Sequence, residues 1–142
     1  MIWLRSDRSC RRNMNSNRQK ELLKILKYAS DSIPVYEMMA GKAKDPRVRE
    51  ALLKIRDDKQ SHVSLMERQT GSTAVQGKGD RRFFSVIRGV FGLKGTMNMM
   101  AQSEYDAANE HEKLTNTYPW LKRVVQDERR HGDTLVRLKK MK

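Results

Sequence analysis

The chain has 142 residues, of which 30 are Lys or Arg and 17 are Asp or Glu, so its formal net charge is +13. This length suits one domain, since single domains commonly have about 100 to 150 residues. No apolar run approaches the ~20 residues needed to span a bilayer, and the N-terminus lacks the apolar stretch of a secretory signal. The single cysteine, Cys10, cannot form an internal disulfide. These features argue against a membrane-spanning protein or a disulfide scaffold, and they predict a cytoplasmic protein.

Basic residues are concentrated at the start of the chain. The first 20 residues contain five arginines and Lys20 against one acidic residue, Asp7. We interpret residues 1–16 as a basic, disordered tail that precedes a domain of residues 17–142. Such a tail predicts weak binding to nucleic acid through its charge. For the basic residues beyond it, a solvated helix surface is the simpler interpretation.

Apolar spacing and helix-end signals predict two helices in the first half of the chain. The first runs from about Asn17 to Lys42. The second begins at Asp45-Pro46, an N-cap residue followed by a proline at the first helical position. It continues to about Thr70 and stops at Gly71, which gives the first half the form of a helical hairpin.

The second half predicts a similar hairpin. Residues 71–80 contain three glycines and no apolar periodicity, so they form the connection between hairpins. The third helix becomes regular from Met97 after a glycine-rich start, and the fourth begins at Pro119 and extends to the C-terminus. No segment shows the period-two alternation of a strand. The predicted fold is therefore all-α, an antiparallel four-helix bundle of two hairpins joined by a crossover.

Three polar side chains fall on the inward faces of the second hairpin. Glu104 lies between Ala101 and Ala108 on the third helix, and Glu128 and His131 lie on the inward stripe of the fourth. A buried carboxylate is costly unless a cation or several donors compensate for it. A Glu from one helix with Glu-x-x-His from the next is half of the ligand set in carboxylate-bridged di-iron bundles. We therefore predict Glu104, Glu128 and His131 as metal ligands.

The first hairpin supplies the other half of such a site incompletely. His62 stands where a ligand histidine belongs, but Lys59 replaces the glutamate three residues before it. On the first helix, Ala29 stands seven residues before Tyr36, as Glu104 stands seven before His111. The chain is thus an imperfect internal repeat in which the first copy lacks both carboxylates. We interpret His111 as a polar replacement for the counterpart of Tyr36.

Together these features resemble the rubrerythrin-like domains of the ferritin-like class, especially those attached to vacuolar-iron-transporter-type membrane proteins. Residues 28–71 are similar to their first hairpin and residues 91–138 to their second, with the Asp45-Pro46 entry and the Glu128-x-x-His131 motif in matching places. The resemblance implies a free-standing ferritin-like bundle with His62 as a further ligand. Members of that family bind two irons, and they oxidise ferrous iron or reduce peroxide. The resemblance also implies a homodimer.

The departures at Ala29 and Lys59 alter the expected metal content. Exchanging a carboxylate for an ammonium changes the local charge by two units in the repulsive direction. We therefore predict that the Lys59 ammonium takes the place of metal, paired in the core with Glu104 and Glu128. A one-step rotation of the second helix would instead bring Asp58 inward. The charge argument favours no metal, followed by a single Fe, Mn or Zn ion, followed by a di-iron centre.

Three functions are compatible with this sequence. The first is a ferritin-like bundle whose di-iron chemistry is impaired or lost. The second is an active iron-handling protein or, if it is an enzyme, an iron-dependent oxidoreductase of the rubrerythrin type. The third is a nucleic-acid-associated ferritin relative that uses the basic tail of residues 1–16.

Overall fold

The structure is a computed structural model that describes the backbone of residues 2–73 and 92–141, and the side chains of residues 17–73 and 92–141. It contains four helices: α1 (Ile2–Lys42), α2 (Pro46–Thr70), α3 (Gly92–Glu112) and α4 (Leu121–Lys140). These ranges contain no strand. Over these described ranges, the prediction of an all-α architecture with four helices is confirmed. None of the described helices combines the length and the apolar character needed to cross a membrane.

The ends of α2 form as the sequence predicts. The Asp45 carboxylate accepts a hydrogen bond from the backbone N–H of Arg47 at 2.9 Å, and Pro46 occupies the first turn. At the other end, Gly71 adopts a left-handed conformation with φ of 69°, and its N–H donates to the carbonyl of Glu67. Glycine reaches this conformation without steric cost, which explains why the helix stops there.

Helix α1 begins earlier than predicted. Its backbone is helical from Ile2, whereas the sequence placed the helix start near Asn17 after a disordered tail. Residues 2–16 contain neither glycine nor proline, so no strong breaker prevents the helix from continuing toward the N-terminus. The division into a tail of residues 1–16 and a domain of residues 17–142 stays a prediction. The predicted connection beyond residue 73 lies outside the described residues. Helix α3 is already regular at Gly92, whereas the sequence predicted a regular helix only from Met97.

The helices pack as two pairs, α1 with α2 and α3 with α4, and the pairs meet less extensively. Two apolar clusters define the ends of the bundle. One joins the end of α1, the starts of α2 and α3, and the end of α4, through Met39, Val48, Leu52, Met97, Met100, Leu135 and Leu138 among others. The other includes Leu22, Ile25, Leu26, Met66, Leu121 and Val124. Since α2 ends and α3 begins at opposite ends of the bundle, two antiparallel hairpins lie side by side.

A close approach between α3 and α4 depends on Gly132. A Cβ atom at this position would lie 2.7 Å from ring atoms of Tyr105, whose hydroxyl donates to the Asp133 carboxylate at 2.5 Å. Real Cβ atoms do not come this close to a ring, so a side chain at residue 132 would displace Tyr105. A Cβ atom added to Gly41 on α1, by contrast, would meet no other side chain among the described residues within 4 Å.

We expect Gly132→Ala to lower the free energy of unfolding by about 1 kcal/mol, because displacing Tyr105 costs more than the gain in helix propensity. Gly41→Ala is the matched control and should be neutral or stabilising. Urea denaturation of both variants, alone and combined with Tyr105→Ala, measures the effect. If Gly132→Ala behaves like Gly41→Ala with Tyr105 present, the contact with Tyr105 does not matter.

Candidate metal or ion-pair site

A layer of polar side chains lies between the two apolar clusters. All five residues predicted for the site are buried there: Lys59, His62, Glu104, Glu128 and His131. They come from α2, α3 and α4, whose remaining inward positions are mostly apolar. Burial of this many ionisable groups requires partners within the bundle.

The centre of the layer is an ion pair between Lys59 and Glu104. The Lys59 ammonium lies 2.9 Å from each oxygen of the Glu104 carboxylate, and the two side chains are 1% and 0% exposed. The Tyr36 hydroxyl donates to the same carboxylate at 2.7 Å. The ammonium also lies 4.6 Å from the centroid of the Tyr28 ring, a distance at which the ring face attracts a cation. Lys59 therefore faces the core.

Glu104 is held in its charged form. Burial alone would raise the pKa of this carboxyl. The charge of Lys59 and the interactions with His131 and Tyr36 outweigh burial and lower the pKa of Glu104 to about 2. The Tyr36 hydroxyl is affected in the opposite way. Burial is the largest cause and the charge of Glu104 the next, and both raise the pKa of this hydroxyl well above its usual value. Tyr36 is therefore a neutral donor to a charged acceptor.

Helices α2 and α4 exchange a reciprocal pair of histidine–carboxylate hydrogen bonds. His62 on α2 meets Asp127 on α4 at 2.8 Å, and His131 on α4 meets Asp58 on α2 at the same distance. In each helix the aspartate stands four residues before the histidine. Arg130 bridges the two aspartates, at 3.1 Å from Asp58 and 2.9 Å from Asp127. The repeated Asp-x-x-x-His spacing of α2 and α4 thus produces two equivalent contacts between the hairpins.

These contacts shift the titration of the groups involved. Burial lowers the pKa of His131, but the hydrogen bond to Asp58 and the charge of Glu104, whose carboxylate lies 3.9 Å from Nδ1, outweigh burial and raise the pKa above its ordinary value. The hydrogen bond with His131 is the largest influence on Asp58 and lowers the pKa of that carboxyl. Burial would raise the pKa of Asp127, yet the contacts with His62 and Arg130 lower it. The layer therefore favours ionised aspartates.

Glu128 has a different partner from the predicted one. The sequence placed it against Lys59, but the carboxylate lies 2.6 Å from Nδ1 of His111. The predicted pairing of Lys59 with Glu104 is thus present, whereas a pairing with Glu128 is absent from the described contacts. His111 fills the place corresponding to Tyr36, and each of the two residues hydrogen-bonds a core glutamate.

The arrangement does not fit a di-iron centre. Both oxygens of Glu104 contact the Lys59 ammonium, and no carboxylate stands at residue 29 or 59 to balance a second ion. Within the described side chains, no group of three or more His, Cys, Asp or Glu has the geometry to hold a metal ion. Three buried atoms of the predicted ligands nevertheless have no hydrogen-bond partner in the part of the chain that the structure describes: Nδ1 of His62, Nδ1 of His131 and Oε2 of Glu128.

A groove of about 790 Å³ lies between α1 and α3. Tyr28 and His111 line this groove on one side and contact the polar layer on the other, Tyr28 through Lys59 and His111 through Glu128. Its volume is in the range of small-molecule sites. The groove therefore reaches the side chains that surround the buried ion pair.

The sequence missed two features of this layer, the participation of Asp127 and the pairing role of Asp58. The available signal was the repeated Asp-x-x-x-His spacing, 58 to 62 and 127 to 131. Comparison of the chain with models of protein families, with curated proteins and with solved structures finds no match.

Proposed function

We propose that the chain is a ferritin-like, rubrerythrin-related bundle in which the Lys59 ammonium stands in place of a metal ion. In this proposal the di-iron chemistry of the family is lost, and the bundle serves as a non-catalytic binding or structural module. The observation that supports it best is the 2.9 Å contact between the Lys59 ammonium and both oxygens of the buried Glu104 carboxylate. A cation already satisfies the carboxylate that a metal would need.

Iron loading tests this proposal. Wild-type protein, Lys59→Glu and the exposed control Lys54→Glu are incubated anaerobically with ferrous iron, desalted and analysed for iron per chain. We expect the wild type and Lys54→Glu to retain equally little iron and Lys59→Glu to gain it, since the variant restores a carboxylate and removes the competing charge. Two irons per wild-type chain would show that the lysine does not replace metal.

A second candidate function is a metal-dependent one with a single divalent Fe, Mn or Zn ion. The buried, unpartnered atoms of His62, His131 and Glu128 favour it, because imidazole nitrogen and carboxylate oxygen are suitable ligands for these metals. One metal ion per wild-type chain, lost in Glu128→Gln but kept in the exposed variant Glu110→Gln, would support this candidate over the first. The protein would then be assayed as an iron-dependent oxidoreductase.

Three further predictions stay open to experiment. Binding of nucleic acid through the basic tail depends on the side chains of residues 1–16, which lie outside the described part of the structure. A homodimer and a cytoplasmic location likewise stay predictions.

A further inference from the structure

Helix α4 carries the strongest concentration of positive charge among the described helices. Seven of its 20 residues are basic, and of its three acidic residues two, Asp127 and Glu128, are buried. The third, Asp133, accepts a hydrogen bond from Tyr105. The basic residues are Lys122, Arg123, Arg129, Arg130, Arg137, Lys139 and Lys140. The solvent face of α4 is therefore predominantly basic, with Asp133 as its exposed acidic residue.

Contacts within the bundle account for three of these side chains. Arg129 pairs with Glu112 at 2.6 Å, Arg130 pairs with Asp58 and Asp127, and Lys139 donates to the Asn98 side chain at 3.1 Å. The other four are exposed and form no ion pair or hydrogen bond with any described residue. We call these four side chains the α4 basic face: Lys122, Arg123, Arg137 and Lys140.

Helix stability explains only half of the α4 basic face. Arg137 and Lys140 stand in the last turn, where positive charge stabilises the helix dipole. Lys122 and Arg123 stand in the first turn, which contains no acidic residue, and positive charge there opposes the dipole. Since these two residues weaken the helix that carries them and bind no described residue of the bundle, a partner outside the chain accounts for them better.

The geometry indicates a polymeric anion. Lys122 and Lys140 are 18 residues apart, which is five helical turns, so they point the same way about 27 Å from each other. A single phosphate or carboxylate cannot contact both ends, whereas a polyanion of regular charge spacing can. Arg123 and Arg137 lie within about 100° of this line around the helix axis. The α4 basic face thus consists of two basic pairs, Lys122 with Arg123 and Arg137 with Lys140, on one side of the helix and about 20 Å apart along its axis, with the exposed Asp133 between them.

Nucleic acid fits the α4 basic face better than a lipid surface does. A helix that lies in a membrane interface needs an exposed apolar face with large side chains that insert between lipids. The apolar face of α4 is buried in the bundle, through Leu121, Val124, Val125, Leu135 and Leu138. Of its large hydrophobic residues only Val136 is substantially exposed, at 36%. We propose that the α4 basic face binds the phosphate backbone of nucleic acid, independently of the metal content of the core.

The test compares two fourfold charge reversals in the full chain. One changes the α4 basic face to Glu, and the matched control changes Lys24, Lys27, Lys54 and Arg68, which are also exposed and also free of ion pairs with described residues. Both variants have the same net charge. Binding to a fluorescent 20-base-pair DNA duplex is measured by anisotropy over a range of salt concentrations, with circular dichroism as the check of folding.

We expect the α4 variant to bind at least tenfold more weakly than the control, with the slope of log affinity against log salt reduced by about 3 to 4, since each lost phosphate contact removes ~0.9. Equal weakening in the two variants would overturn the proposal, because net charge alone would then explain the binding. Absence of duplex binding by the wild type would also overturn it. So would binding to phosphatidylserine vesicles that is lost in the α4 variant while DNA binding is unchanged.

Discussion

Lys59→Met is expected to lower the free energy of unfolding by about 3 to 5 kcal/mol, as is typical when one partner of a buried ion pair is removed. Methionine has nearly the shape of lysine and fills the same space, so the loss is electrostatic. The Glu104 carboxylate, 0% exposed, would keep the hydrogen bond from Tyr36 but lose its nearest cation. Whole domains have a free energy of unfolding of about 5 to 15 kcal/mol, so this single change should remove a large part of the stability of the protein.

A second substitution separates lost charge pairing from lost packing. Combining Lys59→Met with Glu104→Gln removes the unpaired charge and retains an oxygen that can accept from Tyr36. We expect the double variant to recover a large part of the stability, which urea denaturation of both single variants and the double variant measures as a coupling energy. Lys54→Met, on the exposed face of the same helix, is the control. If Lys59→Met costs no more than Lys54→Met, the ion pair does not stabilise the core.

The stability of the protein should fall in acid because of Glu104. The pKa of this group is about 2 in the folded chain against 4.5 for an ordinary glutamate. A lowered folded-state pKa gives stability that is present above pH 4.5 and is lost as the pH falls from 4.5 toward 2. A difference of this size corresponds to about 3 kcal/mol. The lowered pKa values of Asp58 and Asp127 act in the same direction as the pH falls below 3.8.

Urea denaturation of wild type and Glu104→Gln between about pH 2 and pH 8 measures this contribution. We expect the two proteins to differ in slope between pH 4.5 and 2, and also above pH 6.5, because Glu104 helps to raise the pKa of His131. His131 acts with the opposite sign: its raised pKa gives stability that is complete below pH 6.5 and is lost as the pH rises through the folded-state value. Identical acid slopes in wild type and Glu104→Gln would show that Glu104 has no lowered pKa.

Much of the site could be read from the sequence because burial follows helical periodicity. The five predicted site residues stand at helical spacing from apolar neighbours, and all five are buried: Lys59, His62, Glu104, Glu128 and His131. The ends of α2 could also be predicted from the sequence, because a cap residue acts on the helix turn next to it. These residues are Asp45 and Pro46 at the start and Gly71 at the end. The start of α1 could not be predicted correctly. The prediction of a tail relied on charge composition, and charge composition does not terminate a helix.

The pairing of the buried groups could not be read in the same way. Asp58 and Lys59 are adjacent, and a rotation of α2 by one residue would exchange them. Only the packing of α2 against α4 places the Asp58 carboxylate beside His131 and Arg130 and leaves Lys59 beside Glu104. Likewise, the sequence did not assign Glu128 to His111, because that choice depends on distances between α3 and α4.

Local spacing and side-chain chemistry were enough to establish that this chain is helical and which stripes face inward. They also showed that Lys59 precedes His62 at the spacing at which Glu128 precedes His131. The packing of the helices then decided which buried charges meet: Lys59 with Glu104, His111 with Glu128, and the reciprocal histidine–aspartate contacts between α2 and α4. The reason is physical, since an ion pair depends on the distance between two helices, and no single helix contains that distance.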